Sequence, residues 1–296
     1  MSFTPSQEQE NSRLMLIGPH RVFYYGLLGR PGVRNFGCAT LYVSDLEPLQ
    51  VNIGNGWSTR HLAWVPPYTP HRVRTADRHL AVVMLEPEYT DTVMAGACIQ
   101  RKLQENASAV RARILEGVMR LQQVTTSARL SDAEFDDLLF GQPLPRRLLD
   151  PRVSHVVDHI CENTADPCSA SCLADSQGLS LSRFLHLFKA ETGICLRKYR
   201  AWRRARTLLY HVRSPSTLTD IALETGYPDS THFSHSIRRI YGLPPRDIVS
   251  GSRRLRIRVQ VTASKGPPSA STASSRKFAQ PAAAMVQSSA SPWATR

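Results

Sequence analysis

Ser182, Leu185 and His186 in one stretch of this 296-residue chain, and Thr231 and His235 in another, fall on the outward side of short helical patterns. A hydroxyl carries one donor and two acceptor positions, and a neutral imidazole carries one of each. Groups of this kind near the start of an exposed helix can reach base edges in a major groove. Around them stand Lys189, Arg200, Arg203, Arg204, Arg238 and Arg239, whose charges suit phosphate oxygens. Such contacts fix register and supply salt-sensitive affinity. Arg197, Lys198 and Arg206 complete a basic run over 197–206, for which a solvated helix face is the plainer alternative.

Two repeated elements must position these residues. Residues 169–189 and 217–238 each read as a short helix holding Leu-Ala or Ile-Ala, a glycine turn, and a Ser-capped second helix. That is the helix-turn-helix pattern. Thr217 with Asp220 resembles a capping box, and Gly178 and Gly226 stand where a positive φ costs least. Phe184, Leu187 and Phe188 form the inward stripe of the first pair, and Phe233, Ile237, Ile240 and Tyr241 that of the second. A helical bundle with solvated polar faces would explain one such pair, but the duplication favours DNA.

The joining run Gly193-Ile-Cys-Leu-Arg-Lys-Tyr199 and the closing run Asp229-Ser-Thr-His-Phe-Ser-His-Ser-Ile-Arg-Arg-Ile-Tyr-Gly-Leu-Pro-Pro245 resemble the AraC/XylS (arabinose-operon-regulator) family of bacterial transcription factors. Ile237, Tyr241 and Ile248 stand where that family usually has Phe, Phe and Tyr, and each keeps a large apolar group. The resemblance implies two helix-turn-helix subdomains tied by a long helix, with two recognition helices in successive major grooves of promoter or operator DNA. It also implies a cupin-like effector domain, RNA polymerase as a partner, and a homodimer.

The chain has 37 Lys+Arg against 24 Asp+Glu, a formal balance of +13. Residues 252–296 hold 8 of those basic residues and no acidic one, so the charge excess says little about the rest. No apolar run approaches the ~18 residues of a membrane span. The start lacks a charged segment followed by an apolar core, so no signal peptide is expected, and the expected compartment is the cytoplasm with reduced thiols. Cys38, Cys98, Cys161, Cys168, Cys172 and Cys195 show no C-x-x-C, and no paired histidine spacing is read beside them. Cys168 and Cys172 are four apart, with Cys168 preceding the helix; metal or redox sensing, if any, falls to these two and Cys161.

Residues 1–12 are polar and expected to be disordered. Short alternating runs follow at 14–17, 22–28, 39–43, 49–53, 62–65 and 80–85, separated by turn signals. They predict a small jelly-roll barrel. His61, His71 and His79 are scattered without the paired histidines and carboxylate of a metal cupin, so neither a metal nor another cofactor is expected. Trp57, Trp64, Tyr68, His71 and Arg72 are placed near a barrel mouth as candidates for a small-molecule effector. From residue 88 the pattern turns helical, and Val110, Ile114, Val118 and Leu121 form a stripe for the barrel or a second subunit.

The expected fold class is α+β: a cupin-like β-barrel with accessory helices over 13–142, a linker at 143–149, and an all-α double helix-turn-helix domain at 150–251. A disordered basic Ser/Ala/Pro-rich tail is expected over 252–296. The function that follows is sequence-specific, DNA-binding transcription regulation without catalysis. Two rival classes are a metal-dependent cupin enzyme fused to a DNA-binding module and an architectural protein without sequence choice.

Overall fold

The computed structural model describes residues 13–29, 32–54, 56–76, 79–123 and 130–259. The expectations of disorder over 1–12 and 260–296 lie outside these residues. Eight strands come first: β1 (Leu14–Ile17), β2 (Arg21–Leu27), β3 (Ala39–Ser44), β4 (Leu49–Asn52), β5 (Trp57–Arg60), β6 (Leu62–Val65), β7 (Arg72–Arg74) and β8 (His79–Leu85). Nine helices follow among the described residues: α1 (Thr92–Gln123), α2 (Asp132–Phe140), α3 (Pro151–Glu162), α4 (Ala170–Asp175), α5 (Leu181–Thr192), α6 (Leu196–His211), α7 (Leu218–Glu224), α8 (Ser230–Tyr241) and α9 (Pro245–Gly251). A last strand, β9 (Arg256–Val259), closes the series.

The strands make a six-stranded sheet ordered β6-β3-β8-β2-β1-β9 and a three-stranded sheet ordered β5-β4-β7. Because side chains alternate across a strand, each central strand feeds two cores. On β8, Leu80, Val82 and Met84 face the inner core, while Ala81, Val83 and Leu85 face the outer one. The outer face is covered by α1 and α2 through Ile99, Ile114, Val118, Leu121, Phe135 and Leu139. The apolar stripe on α1 is therefore spent on the chain's own sheet. Ser131 and Glu134 form the capping box that opens α2, and Gly141 closes it at φ 76°.

The inner core does not stop at the barrel. Met15, Tyr42, Val65 and Val82 share one continuous cluster with Trp202, Leu208, Ile221, Phe233 and Ile237, so the second helix-turn-helix packs against the inner face of the sheet. The approach is close enough to need glycine: a Cβ on Gly37 would lie 2.3 Å from Cγ of Trp202. Backbone bonds reinforce the seam, from Gly32 N–H to Gly242 O at 2.7 Å and from Asn35 N–H to Ile240 O at 2.9 Å. The first helix-turn-helix has its own core instead, where α3 gives Val153, Val156 and Ile160, α5 gives Phe184 and Phe188, and α6 gives Tyr199.

The disordered tail expected from residue 252 is corrected over 252–259. Leu255 is buried in the inner core, and β9 pairs parallel with β1, setting Leu14 against Arg256 and Ile17 against Val259. Alternation explains the strand. Ile257 packs against the core, while Arg256 and Arg258 donate to the Gln122 and Leu121 carbonyls at the end of α1. Cations there complement the helix dipole and satisfy its last acceptors.

Gly37→Ala should force Trp202 from its seat and cost ~1–3 kcal/mol, as overpacking does. Gly251→Ala, where an added Cβ meets nothing within 4 Å, serves as the control. Urea unfolding measures both, and equal midpoints for the two variants would show that the Gly37–Trp202 contact does not hold the seam.

Candidate nucleic-acid interface

The two second helices, α5 and α8, are built alike. Each has 12 residues and ends at a glycine in the left-handed region, Gly193 at φ 77° and Gly242 at φ 70°. Counting from the first residue of each helix, Ser182 matches Thr231, Phe184 matches Phe233, His186 matches His235, Phe188 matches Ile237 and Lys189 matches Arg238. Both members of the Phe184/Phe233 and Phe188/Ile237 pairs are buried, and both members of the other three are exposed. Ser180 caps α5 through the Arg183 N–H. For α8 the expected serine cap is replaced by Asp229, which accepts from the N–H groups of Thr231 and His232.

On the outward face of α5, Nδ1 of His186 lies 2.8 Å from the Ser182 carbonyl oxygen, so this nitrogen donates. The neutral ring then presents Nε2 outward as an acceptor. Leu185 is exposed beside it. On α8, His235, Arg238 and Arg239 are exposed, as is His232, whose ring bonds Asp229 at 2.9 Å. That hydrogen bond holds the Asp229 carboxyl below its usual range. His232 was not among the base-reading candidates; its place three residues after a capping aspartate was the available signal.

The basic run on α6 divides sharply. Arg197 and Lys198 are exposed. Arg200 and Arg204 are half-buried and donate to the Cys168 and Thr164 carbonyls, bracing the loop between α3 and α4. Arg203, expected at phosphate, is corrected: it is 6 % exposed and lies 3.2 Å from Oε1 of Glu88 and 3.6 Å from Oε2 of Glu86. Arg206, from the same run, is buried too, with Nε 2.6 Å from Oε1 of Glu86 and a bond to the Gly18 carbonyl. Trp202 Nε1–H donates to Glu86 and Tyr199 O–H to Glu88, at 2.8 and 3.0 Å. These glutamates follow β8, so the cluster fastens the linking helix to the barrel.

The five effector candidates do not converge. Trp64 lies on the outer face against α1, where a Cβ on Gly96 would come 2.7 Å from its Nε1. Trp57 and Arg72 are exposed on the small sheet, and the Arg74 guanidinium sits 4.2 Å over the Trp57 ring. Tyr68 packs against the inner core at φ 56°. His71 is buried, donating from Nδ1 to Thr69 O and accepting at Nε2 from Tyr42 O–H. Burial drives its pKa down to about 4, which keeps it neutral.

This architecture defines a class: a two-layered β-domain joined to a double helix-turn-helix. Residues 173–250 match a family model described as a helix-turn-helix domain. The chain is 33% identical over 147 residues to the HTH-type transcriptional activator RhaS of Escherichia fergusonii, covering 45% of this chain and 52% of that protein. It is 38% identical over 93 residues to RhaS of Escherichia coli, covering 30% and 33%. The chain thus spans about half or less of the curated relatives it matches. The apo structure of a ToxT variant from Vibrio cholerae shares the fold over 78% of this chain and 97% of its own, with a TM-score of 0.50 and 8% identity. Among the described residues, no helix is long and apolar enough to cross a membrane.

Burial first, and then the Glu86 carboxylate, push the Glu88 carboxyl from 4.5 up to about 7. A carboxyl raised on folding holds more protons folded than unfolded. Its contribution is full below the unfolded value and is lost as pH rises through the folded one. Between about pH 5 and 8 the wild type should lose up to about 3 kcal/mol from this group. Glu88→Gln should flatten that dependence in urea unfolding, and an identical slope would show that Glu88 does not titrate in the joint.

Proposed function

We propose that this protein is a sequence-specific, DNA-binding transcription regulator that reads a bipartite site with α5 and α8. The observation that carries the reading is the register match of their exposed residues: hydroxyl, imidazole and cation recur at the same three helical positions. A solvated bundle face has no need of that repetition. RhaS, by its description, is a transcriptional activator, which supports the same role here. RNA polymerase, a second copy of the chain and a barrel-bound effector belong to this proposal as the partners such a regulator would use.

In the reading, Ser182, Leu185, His186, Thr231 and His235 meet base edges. Lys189, Arg238 and Arg239 are left as the exposed phosphate contacts, with Arg197 and Lys198 added from α6. Arg200 and Arg204 act at second hand, by holding the loop beneath the first pair.

His186→Ala or His235→Ala should each cost ~1–3 kcal/mol on a selected cognate duplex and relax preference at one position. Equal losses on cognate and random DNA would sink the base-reading assignment and favour an architectural binder. The selected duplex comes from enriching genomic fragments on the purified protein.

Replacing Lys189, Arg238 and Arg239 together by Ala should weaken binding on every sequence and flatten the slope of log affinity against log salt by about three. The same substitution at Arg203 should instead act on stability, because its charge faces Glu86 and Glu88 and not solvent. A salt slope that responds to Arg203 alone would reverse this division of the basic residues.

A further inference from the structure

Beneath the first helix-turn-helix, the cleft between α3 and α4 is lined by His155, His159, Cys168 and Cys172. Nε2 of His159, a carboxylate oxygen of Asp166 and Sγ of Cys168 all lie within 4.8 Å of one another. The Cys168 thiol donates to the Ser169 carbonyl at 3.6 Å, and Cys172 lines the same cleft one helical turn on. We propose that His159, Asp166, Cys168 and Cys172 bind one divalent, thiophilic metal ion, with zinc the best match. The site is independent of the DNA-reading assignment.

The donor set selects the ion. One imidazole, one carboxylate and two sulfurs make a mixed N/O/S set, which a borderline-soft cation with tetrahedral preference takes best. Nε2 of His159 and Oδ2 of Asp166 stand 3.0 Å apart. Tetrahedral bonds of the usual zinc lengths would need about 3.4 Å between them, a small adjustment. Asp166 is already oriented: its Oδ1 accepts from the Cys168 backbone N–H at 2.8 Å, leaving Oδ2 toward the histidine. Outer partners of this kind fix ligand carboxylates in metal sites.

Charge also balances. Two thiolates, one carboxylate and one neutral imidazole around a dication leave a single negative charge. The Arg200 guanidinium bonds the Cys168 carbonyl and lies next to that charge. The sequence carries a further signal: His155 and His159 stand four apart on α3, the same spacing as Cys168 and Cys172.

An ion here would cross-link the end of α3 to the start of α4, fixing the platform on which α5 rests. The test is titration of the reduced full-length protein with Co2+, followed by displacement with Zn2+. One equivalent of Co2+ should give a tetrahedral d–d spectrum with sulfur-to-cobalt charge transfer, and Zn2+ should abolish it and raise the melting temperature. Cys168→Ser and His159→Gln should each weaken Zn2+ by roughly 100-fold or more, beyond what an outer-shell partner costs. Cys195→Ser, at an exposed position outside the cleft, should bind as the wild type does. Circular dichroism of each metal-free variant separates lost binding from lost folding, and the wild-type spectrum decides the matter even if a variant fails to fold. A wild type without the charge-transfer band, or a band that survives in Cys168→Ser combined with Cys172→Ser, would overturn the site.

Discussion

Two carboxyl groups and two guanidinium groups withdrawn from water help hold the two halves of this molecule in one arrangement. Glu86 and Glu88 come from the end of the barrel, Arg203 and Arg206 from the linking helix, and all four are buried. An isolated buried charge carries a desolvation penalty of several kcal/mol, so each needs its partners in place. Trp202 and Tyr199 supply the further donors that two carboxylates in a low-dielectric site require. Such a cluster adds little net stability over a well-packed apolar joint, yet it is intolerant of sliding or rotation. The helix that bears it also carries the inner-core contacts of the second helix-turn-helix. The barrel and the helical domain thus meet in two places, at this joint and at the apolar seam that Gly32 and Asn35 bind.

The joint makes the two reading units unequal. The second shares its hydrophobic cluster with the inner face of the sheet, from Phe233 and Ile237 through to Tyr42 and Val82. The first rests on α3 and keeps a core of its own around Phe184, Phe188 and Tyr199. Their exposed faces match in register while their supports differ. One helix-turn-helix is thus anchored to the β-domain, and the other is carried by α6 and by the loop that Arg200 and Arg204 brace.

Much of this was legible in the sequence where local pattern decides structure. The strands with apolar alternation, the inward stripes of α5 and α8, the Thr217 capping box and the left-handed Gly178 and Gly226 all followed from spacing. Three strands did not. β5 reads Trp-Ser-Thr-Arg and β7 Arg-Val-Arg, both too polar and short to stand out, and β9 hides in a basic stretch before a Ser/Ala/Pro-rich one. The fate of Arg203 was illegible for a different reason. Its carboxylate partner Glu88 lies 115 positions away in the chain, and nothing local distinguishes a buried guanidinium from a solvated one. The effector candidates failed likewise, because strand direction sends Trp64 to the outer face while Tyr68 and His71 face inward.

The parallel pairing of β9 with β1 has a consequence for biosynthesis. β1 is among the first strands to leave the ribosome, while its neighbour on that edge is made only after every helix of the reading head. Until then the β1 edge presents unpaired N–H and C=O groups, the kind of template that recruits foreign strands. A chain cut before Arg256 would carry every helix of the helical domain and leave β1, not β9, at the edge of the sheet.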